Sequence, residues 1–196
     1  MTAYSSDHYD GTWSDGLSIP GSEVLVAENQ IVDASDGGIV VYSAAPAQKS
    51  IVRNNIILSA GNSTYGGLIF DTGPSPPSDF AGASFANNIL WSGPTTHFDI
   101  VLSVGTQAWW YNAGGVTGSS ASATGNSSGG LTIRCNSGIA IDGMVNATVA
   151  GNAFRTELVN ISSCPSVAVG ADVLNGHASG VLQTNIQTVF HSCIGH

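Results

Sequence analysis

Apolar residues run along this chain in short bursts of alternation rather than in helical stripes. "VAENQI" (26–31), "VRNNII" (52–57), "FANNIL" (85–90), "ATGNSS" (123–128) and "VAGNAF" (149–154) share a V-x-x-N-x-aliphatic template anchored on Asn29, Asn55, Asn88, Asn126 and Asn152. A second set aligns as "DGLSI" (15–19), "GGIVV" (37–41), "GGLIF" (66–70), "FDIVL" (98–102) and "SGIAI" (137–141). Each unit therefore predicts two short strands, with β-branched residues inside them and Gly and Asn at the bends. The Asn positions lie 26, 33, 38 and 26 residues apart. That spacing is too irregular for helical repeats and too short for four-stranded propeller blades. Asn tolerates left-handed backbone angles, and its amide reaches a counterpart one strand away, about 4.8 Å, so the repeated Asn residues predict a hydrogen-bonded ladder.

Short strands, Gly and Asn corners and variable insertions match a solenoid whose turns are coils of a parallel β-helix. With this pattern the chain resembles the right-handed parallel β-helix proteins of the pectate-lyase-like superfamily over residues 15 to about 157. The resemblance implies an all-β, single-domain right-handed solenoid of about six coils. An N-terminal arm is expected at 1–14, the coils at 15–157, and a last degenerate coil and cap at 158–196, where "SVAVG" (166–170) is the one recognisable strand. That superfamily includes polysaccharide lyases, glycoside hydrolases, esterases and non-catalytic surface proteins, so the fold alone does not select a function.

Strict alternation turns Leu17, Ile39, Leu68, Ile100 and Ile139 toward the core and Ser18, Val40, Ile69, Val101 and Ala140 outward. Strands apolar on both faces are normally covered on both. The outward aliphatics therefore predict a cover: the loop at 104–125, an apolar ligand, or a second copy of the chain in a homo-oligomer.

Charge narrows the partners. Four basic residues stand against thirteen acidic ones, a net charge of −9, which repels a phosphate backbone and makes nucleic acid an unsuitable partner. No apolar run is long enough to span a bilayer, and "MTAYSSDHYDG" lacks the apolar centre of a signal peptide. Sequons at Asn62, Asn126, Asn146 and Asn160, in a Ser- and Gly-rich chain poor in Lys, suggest a secreted glycoprotein. Cys135 and Cys164 occupy similar distances before their strands, which predicts a disulfide between them. Cys164 with Cys193, and three reduced thiols, are the alternatives.

Stacked coils align equivalent positions into columns. Three residues before the second strand, the alignment places Ser14, Asp36, Tyr65, His97 and Asn136 in file. Tyr65 and His97 are then the candidate acid and base, with Asp36 beside them; lyase chemistry needs such a pair, whereas hydrolysis needs two carboxylates. Asp71 and Asp99 are candidate ligands for a hard cation such as Ca²⁺, and Asp71 also for substrate. The bland alternative is that Asp15, Asp36 and Asp142 only fix turns. "SSDHYDGTWSDG" (5–16) gathers Asp7, His8, Asp10 and Trp13, with no known metal-ligand spacing, and reads best as a solvated arm. The insertion "VGTQAWWYNAGGVTGSSASATG" (104–125) offers Trp109, Trp110 and Tyr111 for stacking on sugar rings or for covering apolar surface. The expected function is polysaccharide degradation on a neutral glycan. The alternative is a non-catalytic glycan-binding or structural, self-assembling module, possibly part of a longer protein.

Overall fold

The computed structural model of the chain describes residues 13–42, 47–72, 78–105, 118–142 and 144–159, together with three short strands beyond them. All their regular structure is β. The strands are β1 (Leu17–Ile19); β2 (Leu25–Ala27), β3 (Gln30–Val32) and β4 (Gly37–Tyr42); β5 (Ile51–Arg53), β6 (Ile56–Ser59) and β7 (Thr64–Asp71). There follow β8 (Ser78–Asp79), β9 (Ser84–Ala86), β10 (Ile89–Ser92) and β11 (Phe98–Gly105), then β12 (Gly118–Ser119), β13 (Ser122–Thr124) and β14 (Ser127–Asp142). The chain continues with β15 (Met144–Val145), β16 (Thr148–Ala150) and β17 (Ala153–Leu158), and with β18 (Val173–Asn175), β19 (Leu182–Thr184) and β20 (Gln187–Phe190). The C-terminal stretch thus carries three paired strands that its sequence does not announce; "SVAVG" lies outside the described residues.

Every pairing is parallel and joins a strand to its equivalent one repeat away. One six-stranded sheet runs β2-β5-β9-β13-β16-β19, and a three-stranded one runs β8-β12-β15. The eleven-stranded sheet follows β1-β4-β7-β11-β14 and then returns through β10-β6-β3, because the sixteen-residue β14 belongs to both ladders. The sheet curls at β14, and its order is compatible with a solenoid.

Two files of left-handed residues make the corners. Glu28, Asn54, Asn87, Gly125 and Gly151 have φ between 55° and 65°, and each immediately precedes a repeated Asn. Glu23, Lys49, Gly82, Ser120 and Asn146 form the second file. The left-handed angle therefore belongs to the residue before the ladder Asn, where sequence reading places it on the ladder Asn itself. The ladder residue does something else: it satisfies the bend. Asn55 Nδ2 donates to Asn88 Oδ1 at 2.9 Å, Asn88 Nδ2 to Asn126 Oδ1 at 2.9 Å, and Asn126 Nδ2 to Asn152 Oδ1 at 2.8 Å. Each Oδ1 also accepts the backbone N–H of the preceding Asn, and each Nδ2 also reaches a carbonyl such as Val52 O. Asn55, Asn88, Asn126 and Asn152 are fully buried, so these bonds remove what would otherwise be a large desolvation cost.

The core lies between the sheets and is filled by the inward side chains, with Phe70 packed 4.0 Å from Phe85 and 5.2 Å from Phe80, ring centre to ring centre. Ile39, Leu68 and Ile139 are in it as expected. Ile100 is not: the register pairs Leu102 with Leu68 and with Ile139, so the coil is displaced by two residues and Ile100 falls opposite Gly66 and Ser137. Val101, expected outward, also belongs to the core. The alternation breaks at this point in each coil, where two consecutive residues face inward. Gly38 and Gly67 take the first of these places in neighbouring coils, since a Cβ on Gly67 would lie 2.5 Å from the Val101 carbonyl oxygen. Val40 and Ile69 do face outward, yet both are fully buried within one chain, against Tyr42 and Tyr65.

Cys135 is likewise a fully buried core residue, and no disulfide is present among the described residues. The register opposes Cys135 to Phe98 on one side and Leu158 on the other. Cys164 and Cys193 lie outside the described residues. The sequon at Asn126 is occluded by the ladder, which buries its side chain and engages its amide nitrogen. Asn62 is half-buried and Asn146 exposed; Asn160 lies outside the described residues.

Candidate functional site

The two-residue displacement of β11 changes which side chains meet. Gly37 opposite Gly66 sets Asp36 beside Tyr65, and Phe98 opposite both Thr64 and Cys135 sets Asp99 between Tyr65 and Asn136. The file is therefore Ser14, Asp36, Tyr65, Asp99, Asn136. His97 is not a member of it. It stands one column earlier, between Ser63 and Arg134, and touches the file sideways through Asp99.

That contact is specific. His97 Nε2 lies 3.3 Å from Asp99 Oδ1, and Asn136 Nδ2 donates to the same oxygen at 2.6 Å. On the other side of the ring, His97 Nδ1 lies 3.0 Å from Ser63 Oγ, which also accepts the His97 backbone N–H at 3.2 Å. With the ring proton on Nε2, Asp99 accepts it and Ser63 donates to Nδ1. His97 and Asp99 can share one face because Phe98, between them, points into the core. Both ring nitrogens are engaged, so His97 addresses Ser63 rather than Tyr65, and the expected Tyr65–His97 acid/base pair is replaced. Ser63 escapes sequence reading because the misaligned coil opposes His97 to Tyr65. With the true register, it falls directly opposite His97.

Tyr65 packs edge-on against Trp13, with ring centres 5.9 Å apart. One coil earlier, Asp15 is the hub: it accepts Ser18 Oγ at 2.5 Å, the Gly37 N–H at 2.9 Å and Tyr42 OH at 3.0 Å. Burial, followed by Asp15 and then the more distant Asp36 and Asp71, pushes the Tyr42 phenol well above its ordinary range. Asp33, by contrast, binds the backbone N–H groups of Ala60, Gly61 and Asn62, which is a turn-fixing role.

Asp71 is buried at the far end of β7, where Tyr42 is its register neighbour. Asp99 opposes Tyr65, six residues earlier along that strand. Asp71 and Asp99 lie in different columns, and the register does not set them opposite each other. No group of three His, Cys, Asp or Glu side chains suited to a metal ion occurs among the described residues. Trp109, Trp110, Tyr111, Asp7, His8 and Asp10 lie outside the described residues.

Beside the His97 column is an open cavity of about 250 Å³, lined by Trp91, Ser92, Leu131, Arg134 and Glu157 among others. Arg134 Nη1 donates to Pro94 O at 2.8 Å, and its Nε lies 3.8 Å from Glu157 Oε1. These two contacts hold the guanidinium along the cavity wall. Trp91 adds an aromatic face of the kind that stacks on sugar rings. No family model, curated protein or solved structure matches the chain.

Proposed function

We propose that this chain is a closed right-handed parallel β-helix of about six coils, of the pectate-lyase-like kind, secreted, and acting on a neutral polysaccharide. The strand order, the two corner files and the handedness rule for parallel crossovers support the coil. A net charge of −9 favours a neutral glycan over a polyanion.

The observation that carries the reading is the file Asp36, Tyr65, Asp99, in which two carboxylates flank a phenol. Asp36 and Asp99 sit two strands apart, roughly 10 Å between backbones, close to the upper end of the carboxyl separation of an inverting hydrolase, about 6.5–9.5 Å. One carboxyl protonates the glycosidic oxygen while the other activates water; Asn136 and His97 hold Asp99 in place. The engagement of both His97 nitrogens favours hydrolysis over elimination. Trp91 and Arg134 supply the neighbouring surface on which the chain rests.

A panel of neutral and acidic polysaccharides, followed for both reducing ends and unsaturated products, tests this. New reducing ends from a neutral glycan, lost in Asp36→Asn and Asp99→Asn proteins that fold normally, are expected. Unsaturated products would move the reading to a lyase. Binding without cleavage would favour the rival, a non-catalytic glycan-binding or structural module, which draws on the number of carboxylates already committed to turns, Asp15 and Asp33 foremost.

A further inference from the structure

We propose that Ser63, His97 and Asp99 form a nucleophilic relay that hydrolyses esters, with acyl groups carried by a glycan as the substrate class. The relay itself stands on its own geometry; only the identity of the alcohol rests on the polysaccharide reading. Three features point to it. Ser63 Oγ is within 3.0 Å of His97 Nδ1, and the opposite ring nitrogen is 3.3 Å from Asp99 Oδ1, the serine–base–carboxylate order that activates a hydroxyl. Asn136 fixes the carboxylate from the next strand at 2.6 Å, so the third member is itself oriented. Finally, His97 stands in the column between Ser63 and Arg134, and Arg134 lines an open cavity with Trp91 and Leu131, so the nearest concave surface begins one strand beyond the histidine.

The chemistry balances with water alone. Ser63 Oγ attacks the acyl carbonyl carbon while its proton passes to His97 Nδ1, and Asp99 stabilises the resulting imidazolium through the Nε2 proton. The tetrahedral oxyanion collapses, the bond from carbon to the sugar oxygen breaks, and that oxygen takes the proton from His97. Water then attacks the acyl-serine by the same route, releasing the acid and restoring Ser63.

Reaction of the full chain with a fluorophosphonate probe, read by intact mass and peptide mapping, tests the relay. A single adduct on Ser63 is expected, with a labelling rate lowered about 100-fold or more in His97→Ala and at least about tenfold in Asp99→Asn. Hydrolysis of 4-nitrophenyl acetate should fall in parallel. An adduct on Ser63 in a protein that cleaves no polysaccharide supports the relay and sinks the glycosidase reading. Polysaccharide cleavage without any adduct on Ser63 overturns the relay alone. Labelling that survives His97→Ala, with circular dichroism unchanged, also overturns it. Because the mapping is done on unmutated protein, a Ser63→Ala variant that fails to fold leaves the test intact.

Discussion

Two columns run through the same coils and are built on opposite principles. The inward file repeats one residue, Asn29, Asn55, Asn88, Asn126 and Asn152, each bonded to the next in the same way. The outward file changes residue at every step: Ser14, Asp36, Tyr65, Asp99, Asn136. Identical groups in register are a solution to a problem every coil shares, namely a bend with buried polar backbone. Different groups in register answer no shared structural need, and that is where chemistry is to be sought.

The contrast breaks first in the middle of the ladder. Asn88→Ala removes the acceptor for the Asn55 N–H and Nδ2 and the donor to Val52 O, all buried. It should cost about 4 kcal/mol, read as a lower midpoint in urea unfolding. Gly67→Ala should cost about 2–3 kcal/mol by the same measurement, because the new methyl meets Leu90 at 2.3 Å and the Val101 carbonyl at 2.5 Å. At the end of the ladder Asn29 is only half-buried and bonds one neighbour, so Asn29→Ala should cost about 1 kcal/mol. If Asn29→Ala and Asn88→Ala cost the same, the ladder is not cooperative in the way its geometry implies.

Smaller effects sharpen the outward side. The raised Tyr42 phenol means that the folded chain holds this proton better than the unfolded one does. Its contribution is complete below about pH 10, where an unfolded tyrosine titrates, and is lost as pH rises beyond it. Thermal midpoints should therefore fall less between pH 9 and 11, both about one unit from that value, in Tyr42→Phe than in the parent. Asp36→Asn, at a half-buried position and nearly isosteric, should cost less than the mid-ladder change, about 1 kcal/mol by urea unfolding. It should nonetheless lower any glycan cleavage about 100-fold or more. A large stability loss there would return Asp36 to the turn-fixing class of Asp33.

The ladder was legible because identical residues at each repeat align themselves. The register of β11 was not, and the reason is general: ahead of the break in alternation the pattern has a period of two, so a displacement by two residues leaves His97, Phe98 and Asp99 on the same faces and goes undetected. His97 and Asp99 both point outward from β11, and only the pairing decides which of them meets Tyr65. The inward pair at Gly67 and Leu68 was hidden for a related reason. Glycine carries no side chain to betray its direction, and Val101 reveals it only once the coils are paired. Ser63 followed from the same slip.

The ladder also has a mechanical consequence. Its rungs join residues 26, 33, 38 and 26 positions apart, and each coil holds chiefly to its two neighbours. A force applied at one end peels such an array rung by rung rather than shattering it at once. Each released rung frees roughly 90–130 Å of extended chain, so the force–extension trace of this protein should be a sawtooth whose tooth spacing reads out the unequal intervals between its asparagines.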